Sequence, residues 1–196
     1  MNRWTFRECF TIDLPRRVPN PGFGDYVRHL LFSSNYTAVL LYRLSRYFKY
    51  RKFTPLKKRI PFLSDILYRL MISRCGCDID QTADIGEGFM VGHSPGIVIG
   101  AHVRAGKNLT IFSGSTLGAK NLILDPEEKR GLDRFPVIGE DVTIYTGAKV
   151  LGPIKIGDKA VIGANAVVLK DVPDGRTVVG VPGRILPLPD NEEGKG

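Results

Sequence analysis

Apolar residues recur at every sixth position through the middle of this chain, and few folds accept that spacing. A first phase runs Ile79, Ile85, Val91. A second runs Ile99, Ala105, Ile111, Leu117. A third runs Ile138, Ile144, Val150, Ile156, Ile162 and Val168. Two positions before most of these stands another small or apolar residue, among them Ala83, Phe89, Ile97, Val103, Leu109, Val142, Ala148, Ile154, Ala160 and Ala166. In extended backbone, positions i and i−2 point to one side, so each such pair faces inward. The residue after the pair is usually glycine or small, which suits a tight corner. Three flats and three corners close a triangular coil, and coils stack by parallel ladders about 4.8 Å apart. The spacing predicts a mainly β protein, a parallel β-helix of roughly four coils.

What precedes the repeats reads differently. Residues 1–24, with Pro15, Pro19 and Pro21, read as an irregular arm. Residues 25–51 read as one helix with Asp25 as N-cap, and a second helix runs from about Pro61 to Arg74. The predicted organisation is an N-terminal arm and α-helical region over 1–75, a β-helix over 76–186 with an inserted loop at 119–137, and a tail at 187–196.

The net charge is +8, and from Tyr26 to Ser64 the chain has no acid. Arg28, Arg43, Arg46, Lys49, Arg51, Lys52, Lys57, Lys58 and Arg59 fall in that run. It reads either as a solvated helical face or as attraction to an anionic partner such as phospholipid headgroups. Nucleic acid is not expected as a partner, because no recognition motif accompanies the charge. The cysteines are Cys9, Cys75 and Cys77, an odd number without a secretory signal, which predicts reduced thiols and a cytoplasmic protein. No zinc-type spacing or other ligand cluster is visible, so no metal is expected.

The repeat breaks twice. Val91 to Ile99 is eight residues instead of six, so two residues bulge around Ser94-Pro95, with His93 at the slip. Between Leu117 and Ile138 comes the polar insertion 119–137. In stacked coils an insertion can leave only at the surface, where functional loops sit. His29 and His102 lack such a setting and read as structural or merely exposed.

At His93-Ser94-Pro95-Gly96-Ile97-Val98-Ile99-Gly100 the chain resembles the hexapeptide-repeat acyltransferases, in particular the serine O-acetyltransferase branch. Ser113 to Gly118, Asp133 to Gly139, Gly163 to Val168 and Val179 to Arg184 carry the same resemblance. It implies a left-handed β-helix, a homotrimer, and acetyl-CoA lying between neighbouring prisms. It implies His93 as general base, Asp78 as its orienting carboxylate, and Arg134 as an acceptor-binding residue. Motif position and charge point to Gly118, Thr146, Gly147, Ala164, Asn165, Lys170 and Arg184 for coenzyme binding.

Two positions depart from that family. Gly92 stands where it has an aspartate, and Phe135 where it has a second active-site histidine. Both lie on the acceptor side. Their loss turns the expected acceptor from serine towards a sugar hydroxyl, in the manner of the colanic-acid type of polysaccharide acetyltransferases. The expected activity is therefore acetyl transfer from acetyl-CoA to a cell-surface polysaccharide precursor, at the inner face of the membrane. A serine acetyltransferase of cysteine biosynthesis is the alternative, and a non-catalytic trimeric scaffold a further one. In each catalytic case the chemistry is the same. A neutral imidazole is a competent base at neutral pH, and a hydroxyl is a poor nucleophile without one.

Overall fold

The computed structural model describes residues 5–50, 60–120 and 134–187. Most of the inserted loop, with Asp133, and the tail beyond 187 lie outside the described residues, as do Arg51, Lys52, Lys57, Lys58 and Arg59.

The N-terminal arm is helical where an irregular chain was expected. Helix α1 (Phe6–Thr11) starts at Thr5, whose hydroxyl accepts from the Glu8 N–H while the Glu8 carboxylate accepts from the Thr5 N–H. This reciprocal capping box satisfies two orphan donors at once and sustains a helix of only six residues. A 3-10 turn follows at Leu14–Arg16. The single helix expected over 25–51 is two, α2 (Phe23–Phe32) and α3 (Ser34–Tyr50), parted where Ser33 takes an extended conformation. Asp25 is not the N-cap. It sits inside the first turn, and its carboxylate reaches back to the Gly22 N–H at 2.9 Å. Helix α4 (Ile60–Cys75) leads into the β region.

Fifteen short strands follow among the described residues, wound onto three sheets. The first sheet stacks β1 (Asp78–Ile79), β4 (Val98–Ile99), β7 (Thr116–Gly118), β10 (Lys149–Leu151) and β13 (Val167–Val168). The second stacks β2 (Asp84–Ile85), β5 (Arg104–Ala105), β8 (Val137–Ile138) and β11 (Lys155–Ile156). The third stacks β3 (Met90–Val91), β6 (Thr110–Ile111), β9 (Thr143–Ile144), β12 (Val161–Ile162) and β14 (Thr177–Val179), and β15 (Arg184–Ile185) closes it antiparallel. Every other pairing is parallel, as in Ile79 beside Ile99 and Ile99 beside Leu117. From β1 to β13 consecutive strands thus visit the three sheets in turn, which is a triangular coil. The inward pairs fill it: Ile97, Ile99, Ala148 and Val150 are all buried. Removing such a Val or Ile side chain from water contributes about 1.5–3 kcal/mol.

Helix α3 locks the helical segment onto the coils. Its Arg43 is fully buried, pairs with Asp13 at 2.9 Å, and donates to the Ile85 and Gly86 carbonyls. Asp13 in turn accepts from the Phe89 N–H. Arg46 donates to the Ala83 carbonyl and to Asp84, and Lys49 to the Gln81 side chain. Two cations of the acid-free run, Arg43 and Arg46, are therefore internal fasteners, while Lys49 is exposed. Among the described residues, no helix is long and apolar enough to cross a membrane.

Candidate active site

The two slips in the repeat open at different corners of the prism. The residues from Gly92 to Gly96 bulge between β3 and β4, at the corner from the third sheet to the first. The insertion leaves between β7 and β8, at the corner from the first sheet to the second.

His93 is exposed on the first bulge and makes no hydrogen bond among the described residues. Its backbone is tied down on every side. The Gly96 N–H reaches the Gly76 carbonyl at 2.7 Å, and the Gly114 N–H reaches that of Pro95 at 3.0 Å. Arg17 donates to the Val91 carbonyl, and Asn35 on α3 bonds the peptides on both sides of His93. Asp78 opens β1, the strand under this bulge, and its N–H donates to the Ile97 carbonyl. The Tyr68 hydroxyl of α4 donates to Asp78 Oδ1. Burial, and then that bond, raise the Tyr68 pKa, so Tyr68 stays a donor. No direct bond joins Asp78 to His93 among the described residues, and Oδ2 of Asp78 accepts nothing there.

Above His93 the same corner climbs through Thr146-Gly147 and Ala164-Asn165. The Gly147 N–H donates to Ser113 and the Asn165 N–H to Thr146, at 2.8 and 2.9 Å. Gly147 has φ +75°, and a Cβ there would lie 2.0 Å from the Asn165 amide oxygen, so the corner accepts no side chain. Thr146, Ala164 and Asn165 are exposed, leaving a low ridge of small residues in line with His93.

Gly118, Arg134, Phe135 and Lys170 belong to the other corner. Arg134 lines a shallow cavity with Lys120, Leu151, Gly152 and Leu169. Lys170 and Arg184 both line an apolar cavity of about 430 Å³ at the end of the prism. The candidate residues thus form two groups on adjacent corners, and one chain does not bring them together.

Gly92 and Phe135, the two departures, each have close packing neighbours. A Cβ on Gly92 would stand 2.3 Å from the ring of Phe112, which lies stacked on Tyr145 with centroids 5.3 Å apart. Phe135 covers Gly100, where a Cβ would come within 2.9 Å of its ring, and meets His102 edge-on. Sequence reasoning missed Asn35, Tyr68 and Phe112. Only Phe112 left a signal, as a large residue at a corner position that is most often glycine.

Comparison with known proteins agrees with this geometry. The model for bacterial transferase hexapeptide (six repeats) matches residues 135–170. Serine acetyltransferase of Bacillus pumilus is 38% identical over 167 residues, covering 85% of this chain and 70% of the relative. The chain belongs to the serine acetyltransferase family. Among solved structures, serine acetyltransferase of Neisseria gonorrhoeae superposes with a TM-score of 0.74 at 34% identity, over 92% of this chain and 64% of that one. A serine acetyltransferase in complex with CoA gives 0.73 at 32% identity, over 91% of this chain and 68% of that one. The chain therefore spans about two thirds of the length of these relatives.

These family relations settle the fold as the expected left-handed parallel β-helix with N-terminal helices, and the enzyme class as an acetyl-CoA-dependent acyltransferase. They overturn the sugar acceptor and the polysaccharide role. Each of these relatives is a serine acetyltransferase, so Gly92 and Phe135 do not carry the inference to a sugar.

Proposed function

We propose that this chain moves the acetyl group of acetyl-CoA to the hydroxyl of L-serine, with His93 as general base. The observation that carries this reading is His93 itself: an exposed imidazole on a register-breaking bulge whose backbone is pinned, in a chain of the serine acetyltransferase family. The imidazole takes the serine hydroxyl proton as that oxygen attacks the thioester carbon. The tetrahedral intermediate collapses, the C–S bond breaks, and the imidazolium returns the proton to the leaving thiolate. Tyr68 fixes one oxygen of Asp78, and the other orients the imidazole and stabilises its charged form.

The coenzyme lies along the ridge of Thr146, Gly147, Ala164 and Asn165, and Lys170 and Arg184 offer charge to its phosphates. A backbone N–H near Gly118 meets the oxyanion, and Arg134 offers a guanidinium to the serine carboxylate. These groups sit on the corner next to that of His93. A homotrimer answers this, since the His93 corner of one prism then faces the Arg134 corner of its neighbour. The protein works in the cytoplasm with its three thiols reduced; Cys9, Cys75 and Cys77 are all free.

Release of free CoA thiol from acetyl-CoA, followed with L-serine against water, tests the reading. Serine-dependent release together with O-acetylserine by mass spectrometry supports it. Thiol release that ignores serine overturns it.

A further inference from the structure

A base on a surface bulge works only if the bulge is rigid, and the bulge does not hold itself. Its one internal polar side chain is Ser94, which is 1% exposed and whose hydroxyl makes no hydrogen bond among the described residues. The two peptides flanking His93 are held from elsewhere. The Asn35 side chain accepts from the Ser94 N–H at 2.9 Å and donates to the Gly92 carbonyl at 2.5 Å. One amide thus makes both bonds, one on each side of the base, as a neighbouring strand would. Asn35 lies in the first turn of α3, the helix that Arg43 and Arg46 fasten to the coils, so the clamp stands on a rigid support.

We infer that Asn35 is a positioning residue for His93: its amide fixes the aim of the imidazole, and through it the helical segment takes part in catalysis. This rests on the reading of His93 as general base. Asn35 touches neither substrate in this account. Its effect falls on the turnover step, because a base displaced by about an ångström loses alignment with the hydroxyl while coenzyme binding along the ridge is untouched. An asparagine suits the place better than an aspartate, which has no donor for the Gly92 carbonyl and sets a negative charge beside the imidazole.

The test uses the full chain with Asn35→Leu, Asn35→Asp and His93→Ala, read by steady-state kinetics with acetyl-CoA and L-serine and by amide hydrogen exchange at Ser94. Asn35→Leu should lower kcat about 10- to 100-fold with KM for acetyl-CoA within about twofold, and the Ser94 amide should lose its protection while that of Ile144 keeps it. Asn35→Asp should keep the Ser94 bond and move the acid limb of kcat/KM to higher pH, since a nearby anion favours the imidazolium. The position of that limb does not depend on how much enzyme is folded, so it decides the matter if Asn35→Leu folds poorly. Unchanged kcat in Asn35→Leu, an unmoved limb in Asn35→Asp, or unchanged exchange at Ser94 each overturns the inference. Full activity in His93→Ala instead removes the general-base reading beneath it, a result distinct from an His93-dependent rate that ignores Asn35.

Discussion

A Cβ on residue 92 would stand 2.3 Å from Cδ1 of Phe112, so the glycine beside the base and the ring one coil above it are a single structural choice. The ring cannot retreat freely, because its stacking with Tyr145 is nearly parallel, at 6°. Gly92→Asp alone should therefore cost about 1–3 kcal/mol of stability as an overpacked site. Gly92→Asp with Phe112→Ala should recover most of that loss and, with a carboxylate restored beside His93, lower KM for L-serine. Thermal melts and serine titrations of the single and double variants check this. A single variant as stable as the parent would show that the ring is not fixed.

The Asp13–Arg43 pair is the second dependence. Both groups are buried, and Arg43 also saturates two β-helix carbonyls. Arg43→Met leaves the Asp13 charge buried without its partner, at a cost of about 3–5 kcal/mol. Denaturant unfolding should show that loss. A variant within about 0.5 kcal/mol of the parent would mean that the helices and coils are held together by apolar contact alone.

How much of this was legible before the structure depends on how local each cause is. The coils were readable because Ile99, Ile144 and their repeats meet the same environment every six residues. His93 was readable because a register slip has to surface. The break at Ser33 was not, since apolar spacing continues across it from Leu30 to Ala38. Asn35 was invisible for another reason: its partners lie 57 and 59 residues away and meet it only once α3 has docked. The acceptor was misread because two single-residue departures, Gly92 and Phe135, were weighed above the motifs shared with the serine acetyltransferase family. In the basic run, Arg43 and Arg46 look like surface charge until their carbonyl and carboxylate partners are known.

Alkaline pH should unfold the protein early. Burial pushes the Cys9 thiol from its ordinary 9.0 up to about 11, and the Cys77 thiol up to about 12. Both thiolates are disfavoured in the fold, so the unfolded chain loses these protons first. The stability they contribute is complete below about pH 9 and is lost as pH rises through the raised folded values. The melting temperature should fall over that window, and less steeply in a Cys9→Ala, Cys77→Ala double variant. An identical pH slope in the two proteins would refute the assignment to these thiols.

The central claim is that His93 removes the serine hydroxyl proton. The most direct measurement is kcat for acetyl transfer from acetyl-CoA to L-serine in the parent and in His93→Ala, with coenzyme binding followed by calorimetry in both. The account predicts that kcat falls by about 100- to 10,000-fold while acetyl-CoA affinity stays within a few-fold. A His93→Ala protein that acetylates serine at the parental rate would contradict it.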